Sequence, residues 1–351
     1  MNQKKRRNYQ KSLKKKFIKL SIAIPTLNSE KTLHITMNSI LKQDTSNFQL
    51  KVILIDSGSK DNTEELFFSY GNRLDLYFKN VGKCSIGEAR NYAIRNIECD
   101  YLIFLDSDDA LIKNRFKRDF EILENSPKLN FIYGDSLQIN KKSFANSYYC
   151  KAFKKADKYQ FLNMPYNLSS VTVSRRFLLK NKLFFKSGLE GRLGEDWRFI
   201  NQINCYENYF YDKNIKVIIN SRDDSHTQDS IKCDLSVSRI KFLCELFENK
   251  KKCTNFSQKL FFGLQIQSSF FLTLVNTVVY SHPKNTNLLA NRLKKIFKVY
   301  LKNSCFSKLM NLIFFPISIF LIIFIHRRSI YSPQRKNLSY ASYKYFLDFL
   351  I

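Results

Sequence analysis

Along its first hundred residues the chain alternates short, unbroken apolar runs with stretches whose apolar positions recur every three or four residues. The runs at 20–24, 52–55 and 74–78 read as strands, as does the one that opens at Tyr101 and continues through Leu102-Ile103-Phe104-Leu105, the last buried on both faces. Between them, Leu33, Met37, Ile40 and Leu41 mark one helix face, with Ser29 placed to cap its start. Leu66, Phe67 and Tyr70 mark a second helix, opened by Asp61 and Glu64 as a capping box and closed near Gly71. Ala89, Ala93, Ile94 and Ile97 mark a third, reached through Gly82 and Gly87. The order β-α-β-α-β-α-β predicts an α/β fold with a mostly parallel sheet and helices on both sides. In such a sheet, ligands bind at the carboxyl ends of the strands.

Polar residues gather at those ends. Thr26, Asn28, Asp56, Arg90 and the run Asp106-Ser107-Asp108-Asp109 all lie at strand ends or in the loops after them, so one crevice can hold a nucleotide and a metal. Three acids within four residues repel one another and resist desolvation, a cost that a divalent cation removes. Hard oxygen donors at this spacing suit Mg²⁺ or Mn²⁺, which keep some waters and share the rest of their shell with phosphates. The competing reading is a surface turn that caps the next helix. No Gly-x-Gly-x-x-Gly follows the first strand and no Walker lysine motif occurs, which removes dinucleotide-binding and P-loop readings.

Composition adds a partner class. At 351 residues with 44% hydrophobic and 15% aromatic content the chain folds around a substantial core. Its formal charge is +28, and residues 1–19 hold nine Lys or Arg and no acid, as a basic tail would. Such a balance suits a polyanionic partner, be it nucleic acid, acidic polysaccharide, a nucleotide-bearing substrate or an anionic membrane surface; a Lys-rich proteome gives the same balance with no partner at all. The eight cysteines are scattered without a Cys-x-x-Cys pair, as in a reducing cytoplasm, and the basic start is not followed by the apolar stretch of a secretory signal. Residues 312–325 form an apolar run broken by Pro316, short for a membrane crossing of about twenty residues. Just before it, 289–303 is basic and amphipathic, which suits lying on an anionic membrane surface, or packing as a helical subdomain or an oligomer contact.

Five blocks in order carry a resemblance. They are Ser21-Ile22-Ala23-Ile24-Pro25-Thr26-Leu27-Asn28, Ser39-Ile40-Leu41-Lys42-Gln43, Ile55-Asp56-Ser57-Gly58-Ser59-Lys60-Asp61-Asn62-Thr63, Ala89-Arg90-Asn91 and Phe104-Leu105-Asp106-Ser107-Asp108-Asp109. Residues 20–109 so resemble the donor-binding half of the family 2 glycosyltransferases, which have the GT-A fold of nucleotide-diphospho-sugar transferases. Ser57 stands where many members carry a second acid, and Ser85 where a glycine is usual. The resemblance implies that Thr26, Asn28 and Asp56 hold the nucleotide base and ribose and that Arg90 lies near the diphosphate. It gives the ribose and the metal to Asp106 and Asp108, with Asp109 as a substitute. Read without it, Asp56 could simply begin a turn and Arg90 could be a solvated helix residue.

Downstream, 131–135 reads as a further strand, and Gly194-Glu195-Asp196-Trp197 opens a helix bearing Phe199, Ile200 and Ile203. The acidic pair resembles the acceptor-side Glu-Asp motif of the same family. Inverting transfer needs a carboxylate that takes the acceptor hydroxyl's proton, and Asp196 is the candidate, set against an ordinary helix-start acid. Glu195 and Trp197 fall on the acceptor side, with Trp197 as a platform or a packing residue. His226, beyond the strand-like 216–219, matches a histidine that in related enzymes approaches the metal or diphosphate; a solvated loop histidine is the alternative.

The expected organisation is a basic tail (1–19), a GT-A catalytic domain (20–230, with donor half 20–110 and acceptor half 111–230) and a helical, membrane-associating region (231–351). The expected activity is inverting, Mn²⁺- or Mg²⁺-dependent transfer from a nucleotide-diphospho-sugar to a glycan or lipid-linked acceptor. Its expected setting is surface polysaccharide or lipopolysaccharide assembly at the inner face of the cell membrane, with no specific nucleic acid partner. An inactive basic polyanion-binding protein on this fold and a metal-dependent nucleotidyltransferase are the alternatives.

Overall fold

The computed structural model describes residues 17–140, 148–152, 166–186, 194–204, 206–221 and 335–337. The readings placed on 1–16, His226, 289–303 and 312–325 lie outside them. Four parallel-paired strands form the first half: β1 (Ile18–Thr26), β2 (Phe48–Asp56), β3 (Leu76–Asn80) and β4 (Tyr101–Phe104). Helices α1 (Leu33–Leu41), α2 (Thr63–Phe68) and α3 (Ile86–Asn96) connect them. Their order across the sheet is β3-β2-β1-β4, so the chain leaves β1 toward one side and later returns to its other side. That reversal puts the crevice between the carboxyl ends of β1 and β4, where ligands of such sheets bind.

Strand alternation sorts the core. Ile22, Ile24, Val52, Leu54, Ile103 and Leu105 point to the layer that holds Leu33, Met37 and Ile40 of α1. Ala23, Ile53, Ile55, Leu102 and Phe104 point to the opposite layer, with Ala89, Ala93 and Ile94 of α3. Burial on both faces is why these strands read as uninterrupted apolar runs.

The second half is built differently. After a two-residue strand β5 (Ala110–Leu111) come α4 (Arg115–Asn125), β6 (Phe131–Asn140), β7 (Tyr148–Cys150), β8 (Thr172–Ser174), α5 (Arg175–Lys180), α6 (Glu195–Ile203), β9 (Tyr209–Ser221) and β10 (Arg335–Asn337). Strand β8 joins the halves, antiparallel to both β4 and β6, and β9 runs parallel to β6 and antiparallel to β5. The α/β class with flanking helices is as expected, but the sheet is mixed where a mostly parallel one was expected. Among the described residues the first half pairs in parallel, whereas the second half is joined by antiparallel ladders apart from β6–β9. Among the described residues no helix is long and apolar enough to cross a membrane.

Some local expectations are corrected. Thr32, without a side-chain cap, precedes α1, and the Ser29 hydroxyl pairs with that of Ser107 at 2.8 Å. Asp61 and Glu64 form no capping box, because α2 starts at Thr63, whose N–H donates to Asp61 Oδ1 at 3.2 Å. The third strand lies two residues later than the apolar run 74–78, and β6 extends well past Asp135.

Candidate active site

Two loops form one rim of the crevice. Asn28, with φ at 51°, donates its N–H to Ser59 Oγ at 2.8 Å and accepts the Lys60 N–H at 2.8 Å. The left-handed backbone there is one that Asn tolerates better than most residues. Ser29 N–H donates to Thr63 Oγ1 (2.8 Å) and Glu30 N–H to Asp61 Oδ2 (3.1 Å), so the loops after β1 and β2 are laced together. Asp56 organises the second loop from inside. Its Oδ2 accepts the N–H groups of Gly58 (3.0 Å) and Ser59 (2.9 Å), and its Oδ1 accepts the Ser59 hydroxyl at 2.5 Å. Asp56 is buried and holds a turn. Thr26, paired with Asp56 across the strands, is also buried, and its hydroxyl has no partner among the described residues.

On the other side of the crevice the β4 strand releases its acids. Asp106 and Asp108 are half-buried, whereas Asp109 is buried and turned inward. Its carboxylate accepts the Ser169 hydroxyl at 2.8 Å and the Asn220 N–H at 3.4 Å. Burial, and then the charges of Asp106 and Asp108, push the Asp109 carboxyl well above the ordinary carboxylate range. Asp109 is thereby a latch to the second half, and Asp106 and Asp108 are left facing the crevice.

Arg90 ties the two halves. It donates to Asp106 Oδ1 at 2.6 Å and to Glu195 Oε1 at 3.1 Å, with its guanidinium 5.3 Å from the Phe185 ring centroid. The side chain is only 3% exposed, so as placed it faces carboxylates and not an outside diphosphate. Burial alone would lower its pKa, but Asp106, Glu195 and Asp196 more than offset this and raise it. Burial lifts Glu195 in turn, the Asp196 charge adds to it and Arg90 opposes it, leaving the carboxyl at about 7.

The acids at the start of α6 are positioned by aromatic packing. Phe185 stacks on Phe199 of α6 at 3.9 Å, and both meet Phe104 of β4 edge-on at 5.2 and 5.8 Å. Asn91 brackets Phe185, donating its amide to Phe185 O and accepting the Phe185 N–H, each at 2.8 Å. Gly87 permits this approach, since a Cβ there would meet Lys186 O at 2.9 Å and Phe185 Cβ at 3.1 Å. Asp196 sits half-buried at the start of α6, with its Oδ1 accepting the Trp197 N–H at 2.7 Å. Trp197 is 2% exposed, so the structure gives it a packing role where the sequence also allowed an acceptor platform.

Reading the sequence missed Asn91 and Phe185 as positioning residues, and also a capping box. Ser85 Oγ accepts the Glu88 N–H at 3.3 Å while Glu88 accepts the Ser85 N–H at 2.8 Å. That Ser-x-x-Glu spacing was the available signal, and it shows that serine suits the position where the family carries glycine. Among the described residues no group of three or more His, Cys, Asp or Glu side chains is placed to hold a metal. Asp108 and Asp106, the latter paired with Arg90, present two half-buried carboxylates close enough together that both raise Asp109.

With the site in view, residues 21–182 match the family model described as glycosyl transferase family 2. The chain carries a family 2 glycosyltransferase domain. Poly(ribitol-phosphate) β-N-acetylglucosaminyltransferase TarS of Staphylococcus aureus is 34% identical over 102 residues, 28% of this chain and 18% of that protein. A UDP-Glc:α-D-GlcNAc-diphosphoundecaprenol β-1,3-glucosyltransferase of Escherichia coli, WfgD, is 30% identical over 130 residues, 37% of this chain and 50% of that protein. The chain spans between 18 and 52% of the length of these and other leading relatives. Its fold matches the TarS 1–349 crystal structure with UDP-GlcNAc at a TM-score of 0.51 and 18% identity, covering 81% of this chain and 89% of that one. It matches the mannosyltransferase PcManGT of Pyrobaculum calidifontis, solved with GDP-Man and Mn²⁺, at 0.50 and 14% identity, covering 82% and 87%. These likenesses give the glycosyltransferase domain the GT-A fold.

Proposed function

We propose that the protein is an inverting glycosyltransferase that moves a sugar from a nucleotide-diphospho-sugar to a hydroxyl of a glycan or lipid-linked acceptor. The observation that carries this reading is the Asp106–Arg90–Glu195 bridge, which brings the acids after β4 and those at the start of α6 to one point. A nucleotidyltransferase needs no separate acceptor-side carboxylate, and a polyanion binder gains nothing from acids at this place. The relatives TarS and WfgD, named as transferases to a polyol-phosphate polymer and to a lipid diphosphate, support a surface-polysaccharide setting. The basic amphipathic 289–303 supports contact with an anionic membrane at its cytoplasmic side.

In this reading Asp196 takes the acceptor O–H proton as the oxygen bonds the anomeric carbon. The bond from that carbon to the diphosphate breaks on the opposite face, and the nucleoside diphosphate leaves with its electron pair. Asn28 and the loop shaped by Asp56 border the nucleotide, with Thr26 beneath. Asp106 and Asp108 would hold a Mn²⁺ or Mg²⁺ ion, whose charge would relieve the repulsion between their carboxylates. Such an ion would stabilise the charge that develops on the leaving diphosphate. Arg90 and Glu195 position the two halves.

The test is donor turnover with Mn²⁺ across UDP-, GDP- and dTDP-sugars, with the product anomer read by NMR. Asp196→Asn should lower turnover by about 10²–10⁴-fold, the usual contribution of a general base. Full activity in both Asp108→Ala and Asp196→Asn, or retention of anomeric configuration, would refute the assignment.

A further inference from the structure

Away from the Asp106–Glu195 site, a cavity of about 870 Å³ opens between the start of α4 and strand β9. Its wall includes exposed Lys113, Arg118 and Lys213 together with Asn114, Asn214 and Tyr149. Two features make it a built site rather than a stray run of lysines. The first is a bulge in β9. Gly134 of β6 pairs with Asp212 but Asp135 pairs with Ile215, so Lys213 and Asn214 are pushed out of the ladder toward the cavity. Asp212 Oδ1 fixes the bulge by accepting the Asn214 N–H at 3.2 Å and its side-chain amide at 2.7 Å. Gly134 admits it, because a Cβ there would lie 2.9 Å from Asp212 O, Asn214 O and Lys216 Cδ.

The second feature is a buried ion cluster behind the wall. Lys216 pairs with Asp119, and with Asp212 at 3.3 Å; Arg115 lies 3.6 Å from Asp119 and donates to Ser169 O at 2.6 Å. Two cations and two acids balance there, so the buried charges cancel. The rim keeps Lys113 and Lys213, plus Arg118, which is shared at 3.5–3.6 Å with Glu121 and Asp212. The cavity is therefore positive where solvent reaches it, with amide groups beside the cations.

We infer that this cleft binds phosphate groups, and specifically the phosphodiester or diphosphate portion of the acceptor. Lys113 is five residues beyond Asp108, so the cleft lies within about 18 Å of chain from the candidate active site, at about 3.6 Å per residue. The acceptor role rests on the glycosyltransferase reading; the anion site does not.

The probe is a fluorescently labelled, water-soluble polyol-phosphodiester oligomer, followed by anisotropy at fixed salt. Binding to vesicles of phosphatidylglycerol in phosphatidylcholine runs in parallel. Because the whole chain is basic, a charge-matched control is needed. Lys113→Glu with Lys213→Glu should weaken oligomer binding at least tenfold, whereas Lys128→Glu with Lys180→Glu, two exposed lysines elsewhere, should change it less than twofold. Equal losses in both pairs, or none in the cleft pair, would overturn the site. Loss on vesicles alone would give the cleft to a lipid headgroup and overturn the acceptor assignment. Oligomer binding through the cleft in a protein that no nucleotide sugar stabilises would uphold the anion site and count against the transferase reading alone.

Discussion

Glu195 sets how the site answers pH. Burial and the neighbouring Asp196 lift its carboxyl from an ordinary 4.5 to about 7, against the pull of Arg90. A carboxyl raised in the folded state binds its proton more tightly there than in the unfolded chain. Its contribution to stability is thus complete below about 4.5 and lost as pH rises through about 7. Asp109, also raised, acts in the same direction. Glu195→Gln cannot ionise, so its melting temperature relative to wild type should climb between pH 5 and pH 8; parallel curves would show that the carboxyl is not perturbed. Asp119 is the opposite case. Burial works to raise it, but Lys216 and Arg115 outweigh that and hold it below its ordinary value. Asp119→Ala leaves both cations buried without their shared acid and should cost about 3–5 kcal/mol in denaturant unfolding, as broken buried ion pairs do.

At the scale of elements, the first half was legible because its strands are buried on both faces and end abruptly in polar residues. The Asp106 to Asp109 run could be placed at a strand end for that reason, though only the fold shows that Asp109 turns inward. Helix α4 escaped notice because its buried face carries Arg115 and Asp119 beside Phe116, Ile122 and Leu123, which breaks the apolar rhythm. Strand β6 was legible over 131–135 but not in its continuation to Asn140. Asp135 lies buried within it, satisfied by the Tyr211 hydroxyl at 2.8 Å and the Ala152 N–H at 2.7 Å, partners far away in sequence. Ser29 and Asp61 were assigned to caps from local spacing, whereas contacts between loops claimed them. Gly87 shows the same limit and yields a sign test. In an isolated helix, Gly→Ala stabilises by about 1 kcal/mol. Here the added Cβ would press on Lys186 O and Phe185 Cβ. Gly87→Ala should instead lose about 1–3 kcal/mol, as overpacked sites do, and lower kcat more than it changes KM, because α3 carries Arg90. A stabilised Gly87→Ala protein would mean that the α3–Phe185 contact is not close.

For the whole molecule, the crevice at the ends of β1 and β4 is joined to helix α6 by a few contacts, namely the Arg90 bridge and the Phe104–Phe185–Phe199 cluster. A donor bound beside that junction exists only on the folded chain, so it must raise the free energy of unfolding by mass action. At a hundred times its Kd the gain is about 2.7 kcal/mol. For a folded unit of about 200 residues each kcal/mol moves Tm by about 2–4 °C, so the right sugar nucleotide should raise it by about 5–11 °C. Sugars on the wrong base should do much less, since the rim of Asn28 and the Asp56-held loop would not engage them. With Asp108 and the Arg90-paired Asp106 bordering the crevice, the diphosphate meets carboxylates, so the shift should need Mn²⁺ or Mg²⁺, vanish with a chelator and fail in Asp108→Ala. The outcomes separate cleanly. A shift that survives chelation keeps the donor and removes the ion, whereas no shift with any sugar nucleotide removes the donor itself.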